Sequence, residues 1–281
     1  MIPDDDPLPR PPLTLEYAFL IALIAPLVHL AWEIVFHLLG VQLAPARAGM
    51  AALLTYGGGF ALCAARFRQP PARQLGFVRP PTTAWLAMLF LAPAVVLSSE
   101  LDNVLRALLP PAPLPAPADA GELSRFTAPA FAVVAVGVFP LAYGVFFRGV
   151  LQPLATARLG VIPGVLLTAV MAAFAEIFLP ALDARGLLAM SPVLLNALVI
   201  CILRQCSGSL WPTLALEVLW GASLVGAAYR VFGLAGFDAG GPHTPTAWVA
   251  GAAVLTAVGL ALCRFAARAT SGGSSSPAAQ G

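Results

Sequence analysis

Apolar runs long enough to cross a bilayer recur eight times in this chain, at about 15–39, 48–66, 82–105, 127–147, 161–181, 187–204, 210–232 and 246–266. A helical span needs about 20 mostly apolar residues. Eight such runs leave little chain for anything else. Charged residues make up 10% of the sequence and hydrophobic ones 59%, with a mean hydropathy of +0.88. A soluble domain carries roughly 25% charged residues. A chain this poor in charge has no means of covering a water-facing surface. The expected fold is an all-α polytopic membrane protein with about eight transmembrane helices.

The intervening segments divide the chain. Residues 1–14 read as an N-terminal tail, acidic and Pro-rich ("MIPDDDPLPRPP"), without the basic start of a signal peptide. Residues 15–106 hold three spans. The loop 107–126, "ALLPPAPLPAPADAGELSRF", is Pro-rich and reads as extended. Residues 127–266 hold a five-helix core, and 267–281, ending "TSGGSSSPAAQG", read as a disordered tail.

All 15 basic residues are arginine. With eight spans, both termini share one side, together with Arg10, Arg66, Arg68, Arg73, Arg79, Arg148, Arg158, Arg204, Arg264 and Arg268. Arg47, Arg106, Arg125, Arg185 and Arg230 fall on the other. Loops rich in Arg stay in the cytoplasm. Both termini are therefore expected there, in a multi-pass protein of the inner membrane of a bacterium. A net charge of +2 argues against nucleic acid as a partner. Cys63, Cys201, Cys206 and Cys263 form no CxxC pair and sit in apolar segments, so neither a disulfide framework nor a zinc site is indicated.

Ionisable side chains inside spans are costly and mark candidate functional sites. Arg148 closes the fourth predicted span, where a helix C-terminus and the interface both suit it. Glu176 lies within the fifth, in "LLTAVMAAFAEIFLP", and Glu217 within the seventh, in "LWPTLALEVLWGA". Neither has an opposite charge one turn away, so each needs a partner on another helix, a proton, or water. His29, Glu33 and His37 share a face of the first span. The two histidines are about 12 Å apart along the axis, too far to hold one ion together. A single i, i+4 pair with ligands from other helices stays open, but helix-to-helix hydrogen bonding or an interfacial anchor is the better reading, and no cofactor or metal is expected. Glu100 and Asp102 mark the membrane surface.

The segment "FPLAYGVFFRGVLQPLATARLG" resembles the first motif of the CPBP family, the CAAX-protease and bacteriocin-processing intramembrane endopeptidases. That motif reads E-E-x-x-x-R followed by Gly. Arg148, Gly149, Leu151, Pro153 and Gly160 fall in register, while Tyr143 and Gly144 occupy the two glutamate positions. The family's F-x-x-x-H falls on Ala172 and Glu176. "GSLWPTLALEVLWG" matches the lead-in to its H-x-x-x-N, which places the His at Glu217 and the Asn at Gly221. "QLGFVRP" at 74–80 also resembles a loop common in these proteins. The resemblance covers about 74–225 and implies a CAAX-protease-like helical bundle with Tyr143, Gly144, Arg148, Glu176, Glu217 and Gly221 at the site.

In the family a glutamate is thought to activate water, and the histidines and asparagine to assist. Tyr143 is a poor base near neutral pH, and Gly144 and Gly221 bring no polar side chain. The resemblance therefore implies a divergent member without the ordinary catalytic set. The leading expectation is a pseudoprotease that binds a membrane protein or membrane-anchored peptide. The alternative is an active intramembrane peptidase using a Glu176–Glu217 pair that shares a proton, with Arg148 or Tyr143 orienting the substrate carbonyl. A third reading is a proton-coupled small transporter.

Overall fold

The computed structural model describes residues 12–108, 127–177, 184–228, 231, 235–237 and 243–272. The Pro-rich loop from 109 to 126, both chain ends, and the last residues expected of the fifth and seventh spans lie outside the described residues. Every regular element among the described residues is helical. Eight rods stand where the apolar runs predict them. They are α1 (Leu15–Leu38), α2 (44–64), α3 (Thr82–Leu108), α4 (127–159), α5 (Val161–Ile177), α6 (Ala184–Ser207), α7 (Trp211–Ala228) and α8 (Thr246–Gly272). A one-turn helix, Pro71–Gln74, interrupts the loop between α2 and α3. The last rod runs to Gly272, past residue 267 where the tail is expected to begin.

The outer surface is apolar. Leu38, Leu39 and Ile162 are each more than 70% exposed, and exposed leucines, valines and isoleucines continue along α1, α5 and α8. An apolar patch of this extent is untenable in water and ordinary against acyl chains. Among the described residues, five rods, or segments of them, are long and apolar enough to cross a membrane: Leu15–Leu38, Thr82–Leu108, Pro129–Leu159, Met190–Ser207 and Thr246–Ala267; Val161–Glu176 is a shorter apolar helix. The protein is thus an all-α polytopic membrane protein.

Two packed groups make the interior. One joins α1, α2, α4 and α5 around Tyr56, Phe146, Phe147 and Leu151. The other joins α3, α6, α7 and α8 around Leu91, Leu203, Leu216 and Trp220. Small residues let the helices approach closely, with Ala18, Ala22, Ala52, Ala169 and Ala172 fully buried.

Rod α4 corrects the reading of its sequence. It does not end at Arg148 but continues to Leu159. Its ladder widens to i→i+5 bonding at Val134–Val138 and again at Gly144–Leu151. Pro140 and Pro153 follow these segments. A proline ring inside a helix collides with the carbonyl four residues back. Those carbonyls belong to Val136 and Gly149, both in the widened turns, so the extra residue per turn makes room for each ring.

Arg148 is 1% exposed and does not reach the interface; Arg204 is likewise buried. Neither is a loop charge. Without them the arginine count is eight against five, which keeps its sign.

Candidate functional site

Helices α4, α5, α6 and α7 enclose a cavity of about 300 Å³. Tyr143, Arg148, Glu176, Glu217 and Gly221 all line it, with Asn196 from α6 and the rings of Phe139 and Trp220. The fold therefore gathers five of the six predicted site residues on one space. The sixth, Gly144, lies just behind it, against Glu217.

Arg148 and Glu217 form the centre. The guanidinium Nε stands 3.4 Å from Glu217 Oε1, an ion pair whose alignment falls short of a hydrogen bond. The Cys201 side chain lies close enough to the guanidinium to interact with it. Nη1 of Arg148 and Oε2 of Glu217 are buried without a hydrogen-bond partner. Both charges are held well away from water, which strengthens their attraction and raises the cost of losing either one.

Position 144 explains how Glu217 fits. A Cβ placed on Gly144 would come 2.5 Å from Glu217 Oε2 and 2.5 Å from Leu214 Cδ2. The carboxylate lies where any side chain at 144 would begin. Gly221, one turn beyond Glu217, serves a second approach. A Cβ there would strike the backbone carbonyl of Ala135 in α4. Helix α7 can lie this close to α4 only because both positions are glycine.

Tyr143 is packed rather than presented. Its ring lies 4.2 Å from Tyr56, 5.9 Å from Phe147 and edge-on to Phe139 at 5.5 Å, centroid to centroid. Tyr56 Oη is buried without a hydrogen-bond partner. Ala172, at the other expected motif position, is fully buried.

Glu176 differs from Glu217. It lines the same cleft but is exposed, whereas Glu217 is mostly buried. Arg148 is within its electrostatic reach, but the two make no ion pair.

A second set of contacts fixes Arg148 from behind. Arg204 Nε donates to the Arg148 carbonyl at 3.2 Å, and its Nη2 to the Leu75 carbonyl at 3.1 Å. Leu210 N donates to the Gly76 carbonyl at 2.9 Å, and Ser209 Oγ to the Val78 carbonyl at 2.7 Å. The rings of Phe77 and Trp211 meet at 5.0 Å. The segments "QLGFVRP" and "GSLWP", far apart in sequence, thus form one junction beneath the "FFRG" turn. On the cavity wall, Trp220 Nε1 donates to the Ala92 carbonyl at 2.8 Å, a group that within α3 accepts only a long 3.5 Å bond from Val95 N at the break beside Pro93.

Residues 125–223 match the family model for type II CAAX prenyl endopeptidase Rce1-like proteins. This segment is thus similar to the CAAX protease family. It runs from the start of α4 into α7 and so contains the whole polar lining of the cavity. No curated protein and no solved structure matches the chain.

Three residues escaped the sequence reading. Asn196 is a polar amide in "SPVLLNALVIC", and a search on ionisable groups passes over it. Arg204 reads as a loop charge. Gln152, whose Nε2 donates to the Cys201 carbonyl at 2.7 Å, reads as part of a helix end. His29 pairs with Glu33 at 3.3 Å, and His37 is exposed on the last turn of α1. Glu100 accepts from Thr244 N at 2.8 Å and meets His243 Nδ1 at 2.7 Å, so it pins the segment before α8 to α3.

Proposed function

We propose that this CAAX-protease-like membrane protein, set in an inner membrane with both termini in the cytoplasm, binds a membrane-anchored polypeptide in its cavity without hydrolysing it. One observation carries this reading: at the motif positions that would supply the water-activating acids, Tyr143 is stacked among rings and Gly144 is covered by the Glu217 carboxylate. Glu217 in turn is held by Arg148. Hydrolysis needs an unencumbered base, a proton donor and an oxyanion site set close together. The packing around Tyr143 and Glu217 supports binding better than turnover.

A second reading rests on a different observation. Glu176 and Glu217 line the same cavity, and Glu176 is accessible. On this reading Glu176 is the base of an intramembrane peptidase and Arg148 faces the substrate carbonyl.

The two are separated by comparing protein termini in membranes of the native host with and without the chain. A binding protein leaves the set of termini unchanged on deletion, and a photo-crosslinking residue at Leu224, on the cavity wall, captures an intact membrane polypeptide. Uncleaved proteins that accumulate on deletion, and persist when Glu176→Gln is supplied in place of the wild type, overturn the binding reading in favour of the peptidase.

A further inference from the structure

Charge on the cavity wall is unbalanced. Among the described lining residues Arg148 is the one cation, and it faces two carboxylates, Glu217 and Glu176. Glu217 takes it as an ion pair. Glu176 forms no ion pair among the described residues, and it is the carboxylate that is exposed in the cleft. A carboxylate at membrane depth is costly unless something compensates it. The walls beside it carry Phe139, Tyr143 and Trp220, and aromatic faces attract cations. One further group calls for a donor such as an ammonium: Asn196 Oδ1 is buried with no hydrogen-bond partner.

We propose that the cavity takes a ligand with an ammonium or guanidinium cation on an apolar body, the cation seated on Glu176. This rests on the reading of the cavity as a binding site and names the feature of the partner that it selects. A volume of about 300 Å³ is small for a ligand pocket and suits one long side chain rather than a folded segment. A Lys or Arg side chain at membrane depth in the partner has this chemistry. A lipophilic amine has it too.

The test uses the full chain in uncharged maltoside micelles. Probes are n-octylammonium and n-octanol, alike in length and different in charge, and a pair of apolar peptides with a central lysine or norleucine. Affinities come from the shift of the melting temperature with ligand concentration. The charged member of a pair should bind at least about tenfold tighter, the lower end for close charge pairs at interfaces. Glu176→Gln should remove that preference and Glu176→Asp should keep it. A preference confined to the peptide pair assigns the cation to a polypeptide side chain; one confined to octylammonium assigns it to a small amine.

Equal binding of charged and uncharged members by the wild type overturns the proposal, as does a preference that survives Glu176→Gln. Carbodiimide coupling of octylamine needs no variant. An amide at Glu176, located by mass spectrometry, supports the proposal, and coupling confined to other carboxylates overturns it. None of these measurements reads hydrolysis. A failure of the non-catalytic reading would show in the termini and leave the amine preference intact.

Discussion

Glu217 Oε2 lies over the Cα of Gly144, where a side chain at that position would have to begin. The two residues are complementary in shape. The loss of a side chain on α4 and the presence of a carboxylate on α7 are one structural fact. A motif position without its acid is thus an accommodation of another acid, delivered from the facing helix.

Gly144→Ala should therefore destabilise the protein. Overpacking of a tight contact costs about 1–3 kcal/mol. The variant should melt several degrees lower in detergent. In a Glu217→Ala background the clash with the carboxylate is gone and Leu214 Cδ2 is the closest neighbour left, so the penalty of Gly144→Ala should shrink. A double-mutant cycle on melting temperature measures that coupling, and strict additivity would sink the idea that Gly144 is matched to Glu217.

The Arg148–Glu217 pair gives the second expectation. Removing one partner of a buried ion pair costs about 3–5 kcal/mol, because the other charge is left uncompensated. Arg148→Met and Glu217→Leu should each lower the yield of folded protein sharply. The two together should recover most of it, since apolar side chains of similar volume replace a buried pair at little cost. Size-exclusion profiles and melting curves of the three variants decide this. A double variant as damaged as the singles would contradict it.

Much of the fold is legible in the sequence because its cause is local. Eight apolar runs predict eight rods, and each rod stands where its run lies. The C-terminal end of α4 is the largest exception, and the reason is physical. An arginine after an apolar run ordinarily marks an interface, and the local sequence cannot register that Arg148 has a carboxylate waiting on α7. The same limit applies to the site. Glu176 and Glu217 declare themselves as charges in apolar surroundings. Asn196 is uncharged and stays hidden, and the meaning of Gly144 and Gly221 depends on helices that approach from elsewhere in the chain.

Gly221 yields a harder clash than Gly144. Its Cβ would meet the Ala135 backbone carbonyl rather than a movable side chain. Gly221→Ala should push α7 away from α4, loosening the Arg148–Glu217 contact as well. The expected result is a lower melting temperature than that of Gly144→Ala. Equal or higher stability would show that α7 moves freely against α4.

Arg204 is expected to act as the clamp on the junction below the cavity. Two backbone carbonyls, of Arg148 and Leu75, accept its hydrogen bonds in buried surroundings. Each carbonyl left unpaired costs about 1–3 kcal/mol. Arg204→Leu should therefore destabilise the protein and, more specifically, release residues 75–78 from Leu210 and Ser209. Amide exchange reports this directly. The Leu210 amide, bonded to the Gly76 carbonyl at 2.9 Å, should lose protection before the amides within α7. If Leu210 keeps its protection in the variant, the junction is held by Phe77 against Trp211 and not by the arginine. A uniform loss across all helices would mean that Arg204 supports the whole bundle rather than this corner of it.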